Sequence, residues 1–148
     1  MIKMLFVCHG NICRSVMSEF IMKQMLRERG LEGEFVVDSA ATSREEIGND
    51  IYPPAKRELD RRGVPYERHY ARQITSADYG KYDLILCMER YNLKNLARII
   101  PEDPENKIHL LLDYTDDPRD IADPWYTGNF DRTYDVIVEG LEGLFKQL

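Results

Sequence analysis

Eight consecutive residues, Cys8-His9-Gly10-Asn11-Ile12-Cys13-Arg14-Ser15, place a thiol nucleophile and a guanidinium within reach of one loop. They follow the apolar run Met4-Leu5-Phe6-Val7 and precede a helix-patterned segment. A strand that turns abruptly into a helix leaves several amides unpaired at the helix start, with the positive end of the dipole behind them. An oxyanion fits such a cup. Gly10 accepts positive φ freely and Asn11 is among the few other residues that tolerate it, so the loop can curl until its N–H groups converge. Arg14 adds a planar fork that holds two oxygens of a phosphoryl group while transition-state charge spreads over them. Cys8 then sits in a positively polarised environment of the kind that lowers a thiol pKa, and is aimed at phosphorus. Ser15 can donate its hydroxyl to the sulfur, both at rest and when sulfur leaves phosphorus.

Cleaving a phosphate monoester also requires a proton on the leaving oxygen, so a carboxylic acid should reach over the loop from elsewhere. Three Asp-Pro pairs offer one: Asp103-Pro104, Asp117-Pro118 and Asp123-Pro124. An Asp-Pro pair is ordinarily a turn, and composition does not choose among the three. After Asp123, Trp125 and Tyr126 can wall a slot for an aromatic leaving group. Metal binding by Cys8, His9 and Cys13 is disfavoured, because adjacent ligands followed by a four-residue gap do not match zinc spacings. No metal and no organic cofactor are expected.

The elements that must position these groups alternate between strand and helix patterns. Residues 2–7 form a nearly continuous apolar run suited to a strand covered on both faces. Residues 15–29 carry Met17, Phe20, Ile21 and Met25 at helical spacing and end before Gly30. A second strand begins at Phe35-Val36-Val37 and runs into the small-residue stretch 38–43. Residues 53–62 make a helix closed by Gly63, and 83–88 a third buried strand. Residues 89–100 read as a helix stopped by Pro101, and 108–112 as a fourth strand. A turn-rich region over 113–129 leads to a final helix bearing Tyr134, Ile137, Leu141, Leu144 and Phe145. Such alternation predicts a single α/β domain over 1–148, a four-stranded parallel sheet flanked by helices on both faces. Ligands of these sheets lie beyond the carboxyl ends of the strands at a switch point, where Cys8 falls.

With 148 residues, 43% hydrophobic and 31% charged, the chain is long enough to bury a core without metals or disulfides. Its net charge of −6 argues against general binding to nucleic acid or to an anionic membrane. Phosphate must then be bound by backbone dipoles and one or two arginines rather than by a basic surface. The basic-leaning stretch of Lys56, Arg57, Arg61, Arg62 and Arg68 reads as a solvated helix face. Three cysteines, Cys8, Cys13 and Cys87, fit a reducing compartment better than a secreted disulfide scaffold. Only seven residues precede Cys8, too few for a signal peptide, and no window reaches transmembrane length, so a cytoplasmic location is expected.

The loop resembles the signature of the low-molecular-weight protein tyrosine phosphatases. Segments 38–43, 69–75, 86–88 and 123–126 are similar to family segments in the same order, so the likeness covers essentially the whole chain. It implies a three-layer fold of flavodoxin-like or Rossmann-like type, hydrolysis of phosphotyrosine and small aryl phosphates, and phosphotyrosine-containing proteins or peptides as partners. Residue by residue, it implies Cys8 as nucleophile, His9 to Ser15 as the phosphate loop, Arg14 as clamp and Asp123 as general acid, then base. It further implies that Asn11, Ser15, Ser39 and His69 support the loop, and that Cys13 can form a reversible disulfide with Cys8. Three positions depart from the family's pattern. His9 stands where leucine is common, Val16 where proline is common, and Glu45 where many relatives place an aromatic residue against the substrate ring. A carboxylate at 45 repels phosphopeptides with acidic flanks. Arsenate reductase on the same fold is the nearest alternative, but needs a relay of further cysteines and only Cys87 lies downstream. A non-catalytic phosphate-binding or redox-sensing module is the other, and has no need of Asp123.

Overall fold

A computed structural model describes residues 1–148. Strand β1 (Ile2–Cys8) is central because it is apolar on both faces: Met4, Leu5, Phe6 and Val7 are fully buried. It pairs in parallel with β2 (Phe35–Ala41) on one side and β3 (Leu84–Cys87) on the other, and β3 pairs with β4 (Ile108–Leu110). The order is β2-β1-β3-β4, all parallel, with the connections running outward in opposite directions from β1. The crevice beyond its carboxyl end is therefore the switch point of the sheet.

The two faces of β1 sort into two cores by the period of the strand. Met4, Phe6 and Cys8 face the larger core, under α1 (Arg14–Glu28), α2 (Pro53–Arg61) and α6 (Phe130–Phe145). Leu5 and Val7 face the smaller one, which holds Leu96 and Ile100 from the segment of α4 (Arg90–Leu96). Two short helices complete the set, α3 (Asp78–Lys81) and α5 (Pro124–Thr127). Helix α6 rides unusually close to the 3₁₀ turn Leu111–Tyr114: a Cβ on Gly143 would lie 2.2 Å from the Tyr114 carbonyl oxygen.

The expected α/β layering is present, with three boundary differences. The second strand runs on to Ala41, because Ser39, Ala40 and Ala41 pair with Phe6, Val7 and Cys8 and their small side chains fit a sheet covered on both faces. The helix expected over 89–100 ends at Leu96 and continues as a turn in which Ile99 and Ile100 both donate to the Leu96 carbonyl. The fourth strand stops at Leu110, where Asp113 accepts the Leu110 amide and draws the chain into the 3₁₀ turn. No helix is long and apolar enough to cross a membrane.

Candidate active site

The carboxyl end of β1 delivers Cys8 to the start of a five-residue loop that ends at Arg14, the first residue of α1. The loop closes over the sulfur: the Asn11 amide donates to Cys8 Sγ at 3.3 Å, and Ser15 Oγ lies 3.0 Å from it. The amides of His9, Gly10, Ile12 and Cys13 donate to no acceptor within the protein. Unpaired amides in a mostly buried loop leave donor capacity for an anion. Helix α1 adds its own free N–H groups, since no side chain caps it.

The turn is paid in backbone conformation at Asn11, whose φ is +62°. Gly10, expected to share that conformation, does not adopt positive φ. A Cβ there would lie 3.4 Å from Glu46 Cγ, about an ordinary contact with a flexible side chain, so the packing does not itself demand glycine. The left-handed Asn11 is held by four hydrogen bonds with three residues. His69 Nε2–H donates to its carbonyl at 2.8 Å and to Oδ1 at 3.1 Å, which fixes the proton on Nε2. The Arg72 amide reaches Oδ1 at 3.3 Å, and Asn11 Nδ2 donates to Ser15 Oγ at 2.8 Å. The Ser15 hydroxyl thereby links the Asn11 side chain to the Cys8 sulfur. Ser39 is placed differently from expectation. Its hydroxyl donates to the buried carboxylate of Glu19 on α1 at 2.6 Å rather than to the Asn11 group.

Arg14 is 2% exposed. Its Nη1 donates to the Ile121 carbonyl at 2.9 Å and to Glu89, its Nη2 lies 3.3 Å from Asp123 Oδ2, and its Nε has no partner. Burial opposes its charge, but Cys8, Asp123 and Glu89 outweigh burial and hold the guanidinium even more firmly protonated. Glu89 was not among the residues singled out from sequence. It ends the turn after β3, and strands β1 and β3 are neighbours, so the residue just past β3 must fall beside the loop. That adjacency is the signal that could have found it.

Of the three Asp-Pro pairs, the geometry selects one. Asp103 accepts the amides of Lys107 and Ile108 and the Tyr79 hydroxyl, which makes it a turn anchor. Asp117 is exposed and pairs with Arg119. Asp123 caps α5 through the Trp125 amide at 3.0 Å and hangs its other oxygen toward Arg14. It lines the same cavity of about 630 Å³ as Cys8 and the loop. The rim of that cavity carries Glu45, Glu46, Tyr91, Trp125 and Tyr126. Trp125 packs on Tyr52 with ring centroids 4.7 Å apart, and Tyr91, unforeseen from sequence, faces the ring of His9 at 6.4 Å. A second cavity of about the same volume lies beside both chain termini, lined by Ile2, Leu31, Phe35 and Phe145 among others. It has no nucleophile, so size alone does not mark the site.

The other two cysteines are chemically unlike an exposed thiol. Burial, then the nearness of Cys8, pushes the Cys13 thiol far above its ordinary value, and the same two causes raise Cys87. Both stay protonated near neutral pH.

A parallel α/β sheet with a cysteine, a buried arginine and free amides at its switch point defines an oxyanion-binding domain of the cysteine-phosphatase kind. The profile of the family described as low molecular weight phosphotyrosine protein phosphatase matches residues 3–148. The chain belongs to that family. It is 37% identical to the low molecular weight protein-tyrosine-phosphatase YfkJ of Bacillus subtilis, over 100% of this chain and 96% of the relative. The YfkJ crystal structure superposes with a TM-score of 0.95, covering 99% of this chain and 94% of that one. The human low molecular weight phosphotyrosine protein phosphatase is 42% identical over 86% of this chain and 82% of its own. Vibrio vulnificus Wzb, solved in complex with benzylphosphonate, is 32% identical with a TM-score of 0.86, covering 99% of each chain.

Proposed function

We propose that this phosphatase hydrolyses phosphotyrosine in proteins and peptides, and small aryl phosphates, through a phosphocysteine on Cys8. The observation that carries the reading is the loop itself. Four unpaired amides and the free edge of Arg14 surround one sulfur, and a carboxylate hangs over it. The anchored Nη1 orients the guanidinium; the unpartnered Nε, and Nη2 on exchanging its 3.3 Å contact with Asp123 for the substrate, take two equatorial phosphoryl oxygens. The Cys8 thiolate attacks phosphorus in line, the S–P bond forms, and the P–O bond to the phenol breaks with its electron pair going to oxygen. Asp123 supplies the proton to that oxygen. In the second step the same carboxylate takes a proton from water as it attacks the phosphocysteine, and the Ser15 hydroxyl stabilises the departing thiolate. Loop amides and Arg14 stabilise the equatorial charge in both transition states.

His69 and Asn11 serve this chemistry by holding the loop. The benzylphosphonate bound by Wzb supports an arylmethyl phosphonate fit in this fold, with Trp125 and Tyr91 as the walls available here. Neither nucleic acid nor membrane is part of this reading.

The test is release of phosphate from a phosphotyrosine peptide beside a phosphoserine peptide, with and without chelator, by wild type and Cys8→Ser. The expected result is phosphotyrosine turnover by wild type and none by the variant. Turnover by Cys8→Ser, or loss of wild-type turnover on chelation, refutes the cysteine mechanism.

A further inference from the structure

The mouth of the cavity is acidic although the ligand of its floor is an anion. Glu45, Glu46, Glu89 and Asp123 line it, and Arg14 is its one lysine or arginine. Glu89 and Asp123 are already committed to Arg14. Glu45 and Glu46 are not: they stand on the loop that follows β2, outside the phosphate cradle. Glu46 accepts a hydrogen bond only from Asn49, at 2.6 Å. Glu45 is 68% exposed at its side chain and is met by His9 Nε2 at 2.8 Å.

The His9 contact is a single bond at a solvent-accessible site. Its other ring nitrogen, Nδ1, is buried without a partner, and the ring is otherwise backed only by Tyr91 at a 6.4 Å centroid distance. The loop beneath, in contrast, is pinned: Thr42 and Ser43 donate to the carbonyls of Cys8 and His9 at 2.9 and 3.1 Å. Glu45 is thus a carboxylate at a fixed place beside the phosphate cup, held by an exchangeable partner. Apolar surface surrounds it. Of the seven large hydrophobic residues left exposed, Ile47, Tyr91, Trp125 and Tyr126 stand on the segments that form this mouth. Clustering of that kind marks a contact surface for a chain longer than a single residue.

We propose that Glu45, seconded by Glu46, selects phosphotyrosines flanked by lysine or arginine, the incoming cation taking the place of His9 on the Glu45 carboxylate. This rests on the phosphatase reading above and names the substrate class of the same site. The phosphate is read by the floor and the flanking charge by the rim, so the two requirements of opposite sign do not conflict. A flanking carboxylate meets Glu45 and Glu46, and among the residues that line the mouth only His9 offsets them; Arg90, between Glu89 and Tyr91 in the chain, is paired with Asp120.

Two phosphotyrosine peptides that differ only in lysine or glutamate next to the phosphotyrosine test this, each with wild type and with Glu45→Gln. Wild type should favour the lysine peptide about tenfold in kcat/KM at low ionic strength, one exposed ion pair gained and one repulsion avoided each being worth a few-fold. Glu45→Gln should reduce the ratio to about threefold, and 0.5 M salt should shrink the wild-type ratio similarly by screening. The ratio is measured on one enzyme preparation, so any loss of folded protein cancels. Equal rates on both peptides, or a ratio unmoved by Glu45→Gln, overturns the selection while leaving the phosphatase reading intact. Failure to cleave either peptide overturns both.

Discussion

The floor and the mouth of the cavity are built on opposite principles. In the floor, Asn11, Ser15, Cys8 and Arg14 are all at most 3% exposed, and each is fixed by at least two contacts. In the mouth, Tyr91 and Trp125 are about half exposed, Tyr126 is 85% exposed, and His9 is held through one nitrogen. Preorganised dipoles pay no reorganisation when charge develops, so the rigid floor determines which bond is made and broken. The adaptable mouth determines which molecule brings that bond. Changes in the floor should therefore lower the rate on every substrate, and changes in the mouth should reorder substrates at modest cost.

The largest expected effect separates charge from geometry in the floor. Arg14→Lys keeps the cation but loses the fork, and should lower kcat by roughly 10³ on any aryl phosphate. A loss below tenfold would mean that a point charge suffices. Next comes Asp123→Asn, expected to cost about 10² or more in kcat on a phosphotyrosine peptide and distinctly less on an ester with an acidic phenol, which leaves without a proton. A deficit independent of the leaving group would remove Asp123 from the role of acid. Asn11→Ala should lower both kcat and stability, the latter by about 1–3 kcal/mol, because alanine resists φ of +62° and releases Ser15 and His69. Thermal unfolding and turnover on the same sample check it. At the small end, Trp125→Ala should raise KM for an aryl phosphate a few-fold and leave kcat for aryl and alkyl phosphate esters within about twofold. An equal kcat loss on every ester would place Trp125 in the floor's class.

The cysteines divide along the same line. Iodoacetate near pH 7 should modify Cys8 and spare Cys13 and Cys87, whose thiols burial holds protonated. Peptide mass mapping reads the outcome. Raising the pH toward 9 should still leave both unmodified.

The floor was legible in the sequence because its parts are local. A strand, a curled loop and a helix start are consecutive in the chain, and Cys8, Arg14 and Ser15 need no long-range information to be placed together. The layering followed from alternation alone. What local pattern did not supply was the end of β2, where small residues that read as loop pair with the central strand because the sheet is covered on both sides. Glu89 and Tyr91 were missed for the same reason: each is adjacent to the loop only through the β1–β3 pairing, 75 residues apart for Arg14 and Glu89. The resemblance places Ser39 with the Asn11 group, yet a buried carboxylate on α1, Glu19, claims its hydroxyl. The choice among three Asp-Pro pairs likewise required the fold, which makes Asp103 a turn anchor and Asp123 a neighbour of Arg14.

The most direct measurement is acid quench of the enzyme during turnover of an aryl phosphate with an acidic phenol, followed by mass mapping of the peptide that carries Cys8. Asp123→Asn serves as the trap, since it lacks the base for the second step. Phosphate bound to Cys8, accumulating to a larger fraction in Asp123→Asn than in wild type, is the predicted result. Release of inorganic phosphate with Cys8 unmodified in both proteins, or phosphate on another residue, would contradict nucleophilic attack by Cys8.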